Sequence, residues 1–346
     1  MRNFTVLAPV LLLVACPYGA AAAAQAAPRP DGTIVSQAPC APGPARTYEQ
    51  YVAQRKTGIL QDLAEAARDG YHREPPADWA PLLLRSDDYE KRQASAGAEC
   101  LRITYVSDSL EVTGFIWKPK DVAGKKLPLI IYNRGGNREF SKLTPQTKWG
   151  FFDYVNSGFV VIGSQYRGND GGQGKEEFGG ADVDDVMNLV PLAKSLGYVD
   201  LNNVFVLGWS RGGMMTLLAL KRGLAVNAAA VGGALADLGS ERAQRASMDQ
   251  LFRELIPSFA THADEALRDR SAVYWPDSIK VPLLILAGGA DWRVVPQRNA
   301  LALAQKLQEA GKTYQLIVYA DDDHGLSRNG ADADRQTIEW FRRYVK

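Results

Sequence analysis

Short, almost uninterrupted apolar runs recur along the second half of the chain and alternate with amphipathic segments. Such runs suit strands buried on both faces of a parallel sheet, because neither face then needs polar side chains. Alternation of strands and helices is typical of a doubly wound α/β sheet. The predicted strands cover residues 127–133, 159–166, 204–209, 225–233, 282–288 and 314–319, and the main predicted helices cover 182–196, 212–222, 297–310 and 333–344.

Two segments depart from this alternation. Residues 101–106 and 111–119 alternate apolar and polar positions, which predicts an antiparallel pair of strands joined through residues 107–109. Residues 236–276 are polar, helical in pattern and too long for a simple crossover. We therefore expect this second segment to form a cap over the C-terminal ends of the strands.

The chain before residue 101 has a different character. Residues 25–46 are rich in alanine and proline and predict an irregular linker. Residues 47–69 place apolar side chains on one helical face, and Gly70 ends that pattern. Residues 79–93 predict a second short helical piece.

The first residues have the features of an export signal. Arg2 supplies positive charge, and the apolar run Thr5–Ala15 is too short to span a bilayer. Leu13–Cys16 resembles a bacterial lipobox in which Cys16 would be lipidated, whereas the alanines of residues 20–24 favour ordinary cleavage. Both cleavages predict a periplasmic or extracellular protein, with a lipid anchor on Cys16 as its only expected contact with a membrane.

Export sets the role expected of the remaining cysteines. Cys40 and Cys100 stay unlipidated under either cleavage, an even number of thiols for an oxidising compartment. We predict a disulfide between them that ties the N-terminal extension to the first core strand. Two free buried thiols are the alternative.

Charge and histidine content narrow the function classes. The chain has 40 basic and 39 acidic side chains without a basic block, so nothing indicates a nucleic-acid partner. Its three histidines are scattered and lack the spacing of a metal-ligand set, so we expect neither a metal nor another cofactor.

Gly208–Gly212 has the pattern G-x-S-x-G between a predicted strand and a predicted helix. A serine at such a sharp turn has a strained backbone that exposes its hydroxyl above the sheet, so Ser210 is predicted to be a nucleophile. The N-terminus of the following helix favours negative charge nearby, and the Arg211 amide is the expected oxyanion donor. A plain structural turn is the alternative.

A serine nucleophile needs a base to accept its proton, and His324 is placed to be that base. His324 follows the predicted strand 314–319 through a short loop at the C-terminal edge of the sheet. His72 precedes the α/β pattern, and His262 lies in the helical insert, where an exposed or capping role is expected.

Asp291 is the predicted acid. It follows the strand 282–288 directly and precedes His324, which gives the order serine, aspartate, histidine that is expected of a hydrolase on this type of sheet. Asp237, after the preceding strand, is the rival. Residues 321–323 are predicted to form a solvated acidic loop.

These motifs together resemble the catalytic domain of prolyl-oligopeptidase-like serine peptidases. The similarity spans residues 101–346 and rests on GWSRGG at Ser210, GGADWRVVPQ at Asp291, DDDHGL at His324 and the segment SQYRGNDGGQGKEEFGG. The resemblance implies an α/β-hydrolase fold and acyl transfer through an acyl-enzyme.

Two features depart from the family pattern. Relatives often have histidine or tyrosine before a glycine pair where this chain has Arg134, so the second oxyanion donor is expected to be the amide of Arg134 or Gly135. Residues 25–100 show no repeat of propeller blades, which filter substrates in many relatives. Glu176 and Glu177 resemble paired acids that hold a substrate amine, but we interpret them as a solvated pair.

The sequence thus predicts an exported serine hydrolase acting on a short peptide or a small ester. A carboxylesterase for small acyl or aromatic esters is the alternative, with aromatic residues of the cap lining an apolar pocket or forming the cap's own core. A non-catalytic binding protein on the same fold is a remote alternative, and the oligomeric state is left open.

The sequence divides the chain into an export signal (1–24), a linker and helical extension (25–100), and a catalytic domain (101–346) with its cap at 236–276. The cap aromatics are Phe252, Phe259, Tyr274 and Trp275.

Overall fold

A computed structural model of the chain describes Met1 and residues 28–41, 46–93, 98–145, 147 and 150–346. Apart from Met1, the predicted export signal, with Cys16, lies outside these residues. No helix within them is long and apolar enough to cross a membrane.

The strands of the described residues form one nine-stranded sheet in the order β1-β2-β3-β5-β4-β6-β7-β8-β9. The first three strands pair antiparallel, β3 also meets β5 antiparallel, and the remaining strands are parallel. The strands are β1 Ile34–Pro39, β2 Ala98–Ser107, β3 Leu110–Pro119, β4 Leu127–Asn133, β5 Val160–Ser164, β6 Val199–Trp209, β7 Ala228–Gly232, β8 Leu283–Gly288 and β9 Tyr314–Tyr319.

Helices pack on both faces of this sheet. Alternate strand residues enter separate cores: Leu129 and Ile131 pack with one, whereas Ile130 between them packs with the other. The apolar runs were continuous because both faces are buried, and the predicted doubly wound arrangement is confirmed. The helices are α1 Tyr48–Arg68, α2 Ser86–Gln93, α3 Phe152–Asn156, α4 Asp182–Met187, α5 Leu189–Ser195, α6 Arg211–Lys221, α7 Leu238–Gln244, α8 Ala246–Leu255, α9 Phe259–Asp269, α10 Ala300–Glu309 and α11 Gly330–Arg342.

The region predicted as an irregular linker contains strand β1. This strand pairs antiparallel with β2, so that Pro39 lies opposite Leu101. Most of its side chains are exposed, and an edge strand of this kind leaves no alternation of apolar and polar residues in the sequence. The predicted disulfide lies just beyond that register, where the Cys40 N–H donates to the Cys100 carbonyl and the two Cα atoms are 5.3 Å apart.

The cap consists of α7, α8 and α9 with short 3-10 turns after them. Phe252 and Phe259 are buried and pack against each other with tilted rings, and Phe252 also meets Phe178 on the body of the domain. Tyr274 is 49% exposed, and Trp275 lies against Lys221. These aromatics therefore fill the cap's own core or its outer surface.

Candidate active site

Ser210 occupies the turn between β6 and α6. Its φ of 57° and ψ of −125° are rare for a residue with a side chain, and the surrounding structure has to impose them. The Ser210 N–H donates to the carbonyl of Gly232 on the neighbouring strand. A Cβ atom on Gly208 would lie 2.1 Å from the Gly212 carbonyl oxygen, and one on Gly212 would lie 1.9 Å from that of Asn133. Both glycines of the G-x-S-x-G pattern are therefore required for the turn to close.

The His324 ring is oriented by Asp291. Its Nδ1 lies 2.7 Å from Asp291 Oδ2, while Asp291 Oδ1 accepts the backbone N–H groups of Arg293 and Val294. The Trp209 indole, next to the serine in sequence, donates to the His324 carbonyl and fixes the loop from the other side. With Nδ1 engaged, Nε2 is the ring nitrogen left to exchange a proton with a reacting group.

The electrostatics favour proton acceptance by His324. Burial of the ring opposes its protonation, but the charge and the hydrogen bond of Asp291 outweigh burial and raise the pKa of His324 above its ordinary value.

Glu241, on α7, is a further carboxyl close to this pair. Burial raises the pKa of Glu241 to about 7, although it accepts a hydrogen bond of 2.8 Å from Asn299 Nδ2. Its charge therefore changes near neutral pH.

The rival residues lie elsewhere. Asp237 caps α7, because its side chain accepts the backbone N–H and the hydroxyl of Ser240. His72 and His262 are exposed, and the His262 ring bonds to Thr261. Of the candidate acids and bases, the structure brings together Asp291 and His324.

The sequence predicts that the acidic loop before His324 is solvated. The structure corrects this prediction, because one of the three carboxylates is buried. Asp322 is 0% exposed, and its carboxylate accepts three backbone N–H groups and the Asn329 side-chain amide. These donors converge because the loop folds back on itself before α11. Asp322 thus holds the segment that carries the histidine.

Gly135 lies directly beside the serine. A Cβ atom on Gly135 would lie 3.2 Å from Ser210 Cβ and 3.8 Å from Ser210 Oγ. A side chain there would crowd the hydroxyl, so the close approach depends on glycine. The loop after β4 therefore approaches Ser210 at the point where α6 begins with Arg211.

The Arg134 side chain bonds to carbonyl groups of the protein itself. Its guanidinium is buried over the Tyr166 ring, and all three nitrogens donate to backbone carbonyls. Arg134 thereby pins the loop that follows β4. The accepting carbonyls belong to Gly135, Arg138, Phe140 and Gln165.

The prediction that Glu176 belongs to a solvated pair is wrong. Glu176 is 4% exposed and lies 2.5 Å from Arg211 Nη1, while Asp182 lies 2.6 Å from Arg211 Nη2. Arg211 also donates to the Gly136 carbonyl, so the ion-pair network joins α6 to the loop after β4. An arginine at the start of a helix that is apolar on all sides is the sequence signal that could have indicated buried carboxylate partners.

Replacing Arg211 with methionine is expected to lower the free energy of unfolding by about 3–5 kcal/mol, because Glu176 and Asp182 would stay buried without their cation. The matched control is Arg222→Met just after the same helix. Its ion pair with Asp184 is 38% exposed on both sides, and its loss should change stability by less than about 1 kcal/mol. Urea unfolding of both variants measures the difference, and equal effects would contradict the role given to Arg211.

Ser210 and His324 line one cavity of about 650 Å³, within the range of small-ligand sites. The loop after β4, the cap and the histidine loop contribute walls, and helix α1 of the N-terminal extension contributes another. Arg293 binds Asp62 and Glu65 of α1, and Arg245 binds Asp69 just beyond it. Helix α1 therefore packs across the site, whereas β1 of the same extension forms the edge of the sheet.

The sequence profile of the prolyl oligopeptidase family matches residues 145–346, more than half of the 346 residues. The chain belongs to this family. Membership confirms the resemblance noted in the motifs and makes the chain a serine hydrolase of α/β-hydrolase fold.

Several known proteins are similar to this prolyl oligopeptidase family member. The uncharacterized peptidase YtmA of Bacillus subtilis is 26% identical over 258 residues, which cover 73% of this chain and 98% of that protein. The acylamino-acid-releasing enzyme of Arabidopsis thaliana is 27% identical over 287 residues, which cover 77% of this chain but 35% of the plant protein. The acylaminoacyl peptidase of Pyrococcus horikoshii has the same fold, with a TM-score of 0.65 and 20% identity over 76% of this chain and 44% of its own. The chain thus spans nearly all of one relative and less than half of the other two.

Proposed function

We propose that the protein is an exported serine hydrolase that cleaves peptide or other amide bonds, with Ser210, His324 and Asp291 as its catalytic triad. The observation that carries this proposal is the 2.7 Å contact between His324 and Asp291 in the cavity that Ser210 also lines. Ser210 has the strained backbone of a nucleophile turn, which supports the same assignment.

In the proposed reaction, Ser210 Oγ attacks the substrate carbonyl carbon while His324 Nε2 takes the hydroxyl proton. The tetrahedral intermediate collapses, the carbon–nitrogen bond breaks, and the amine leaves with the proton from His324. Water then attacks the acyl-enzyme with His324 as base, which releases the acid and restores Ser210. Asp291 stabilises the imidazolium that forms in both steps.

We propose the amides of Arg211 and Gly135 as the oxyanion donors. Gly135 lies against Ser210, and Arg211 follows Ser210 as the first residue of α6, which supports this assignment. Arg134 contributes by holding the loop through its carbonyl contacts, and its guanidinium has no donor left for the substrate. Loss of one such donor typically lowers kcat by about 10²- to 10³-fold.

Export is part of the proposal. The disulfide between Cys40 and Cys100 supports it, because such bonds persist in oxidising compartments. The two signal cleavages stay predictions, and the mass of the N-terminal peptide of the mature protein distinguishes a lipidated Cys16 from cleavage after residue 24.

Parallel assays on aminoacyl and dipeptidyl p-nitroanilides and on short-chain p-nitrophenyl esters test the proposed bond. We expect turnover of anilides, because family membership favours a peptide substrate. Hydrolysis of the esters without hydrolysis of the anilides would contradict the peptidase assignment and support a carboxylesterase. Failure of the protein to react with a fluorophosphonate would contradict both and favour a binding protein.

A further inference from the structure

Most cationic side chains that line the active-site cavity within the described residues have matched charges. Arg211, Arg245, Arg293 and Lys142 each form ion pairs with carboxylates of the same domain or of helix α1. Arg134 is surrounded by carbonyl oxygens. These cations are committed to holding the walls of the cavity.

Arg55, on α1, is different. Its side chain makes one hydrogen bond, of 2.6 Å, and the acceptor is the neutral hydroxyl of Ser327. No carboxylate oxygen of the described residues lies within 4.0 Å of its guanidinium, although Arg55 lines the cavity. Asp323, the nearby acid in the loop, accepts instead from the Ser327 hydroxyl and from two backbone N–H groups. Arg55 thus has a half-buried planar fork with donors to spare, which is the geometry that recognises a carboxylate.

The position of Arg55 indicates which part of a substrate it would meet. Ser327 stands three residues after His324 in the same loop. In the proposed mechanism His324 Nε2 hands its proton to the leaving group, so the leaving group departs on the histidine side of the cavity. Arg55 borders that side through its bond to Ser327.

We propose that Arg55 binds the carboxylate of the leaving group, and that the preferred substrates are short peptides with a free C-terminal carboxylate near the bond that is cleaved. This inference rests on the proposed function and adds the substrate class to it. It also gives the N-terminal extension a specificity role, because the binding group comes from α1 and not from the catalytic sheet.

The test uses a pooled set of tri- to pentapeptides in which every sequence is present with a free C-terminal carboxylate and as the C-terminal amide. The full-length protein is incubated with this pool. Mass spectrometry of the cleaved peptides then gives the relative kcat/KM values within each pair. We expect the carboxylate forms to be cleaved about 10- to 100-fold faster, the factor of a charge-assisted hydrogen bond. Arg55→Gln should bring the ratio of the two rates close to one by slowing cleavage of the carboxylate forms, whereas Arg55→Lys should retain part of the preference.

The matched control is Arg68→Gln at the other end of α1, where the side chain is exposed and bonds to its own helix. This variant should keep the full preference. Equal rates for both forms in the native protein, a preference that survives Arg55→Gln, or equal losses on both forms would overturn the inference.

A fluorophosphonate separates this result from failure of the proposed function. Native protein and Arg55→Gln should label at the same rate, because the probe carries no leaving-group carboxylate. A protein that labels but leaves every peptide intact would overturn the inference while the serine nucleophile stands. A native protein that does not label would overturn the proposed function itself.

Discussion

Replacement of Ser210 by alanine is expected to lower kcat/KM by about 10⁴- to 10⁶-fold and to abolish labelling by a fluorophosphonate. The loss is large because the acyl-enzyme cannot form without the hydroxyl, and the oxyanion donors and the binding site then act alone. Initial rates on the best p-nitroanilide, together with probe labelling, measure the effect.

Ser141→Ala is the matched control for this prediction. Ser141 lines the same cavity, so the same chemical change is made a short distance away. The control should label and turn over as the native protein does. Labelling that persists in Ser210→Ala and disappears in Ser141→Ala would move the nucleophile to the loop after β4.

Asp291→Asn is expected to lower kcat/KM by about 10⁴-fold near neutral pH and to shift its pH dependence. Only the neutral imidazole can accept the serine proton, so activity rises with pH through the pKa of His324. Asp291 raises that pKa against the effect of burial, and without its charge burial dominates. The acid limb of the kcat/KM profile should therefore lie above the ordinary histidine pKa in the native protein and move to lower pH in the variant.

Asp237→Asn tests whether the acid has been assigned correctly. Asp237 caps α7, and its loss should cost about 1 kcal/mol of stability or less without moving the pH profile. An unchanged profile in Asp291→Asn, with a shifted one in Asp237→Asn, would reverse the assignment.

Burial raises the pKa of Glu241 to about 7, so Glu241 can add a second ionisation to the pH profile in the same range. The variant Glu241→Gln identifies this contribution.

The parts of the fold that carry local signals were predictable. Strands β4 to β8 are apolar because both of their faces are largely buried, and the run of glycines around Ser210 exists because a Cβ would clash. Helix 182–196 was predicted as one piece but is divided at Asn188 into α4 and α5. Pro191 lacks the N–H that would have bonded back across the break.

Features that depend on distant partners were not predictable. Glu176 and Asp182 meet Arg211 only because crossovers of the sheet bring segments 35 and 29 residues apart together. Strand β1 depends on pairing with β2, and its own residues do not alternate between apolar and polar positions. The amphipathic pattern of α1 indicated a helix, but the pattern could not show where that helix docks.

Helix α1 lines the cavity and is attached to the catalytic domain through ion pairs. Within α1, Ala66 is the residue whose side chain is buried. Little apolar surface therefore holds the helix in place. Its anchors to Arg293 and Arg245 are partly exposed ion pairs, which dissolved salt screens. We therefore expect high ionic strength to weaken the attachment of α1, the wall of the cavity that comes from the N-terminal extension, to the catalytic domain.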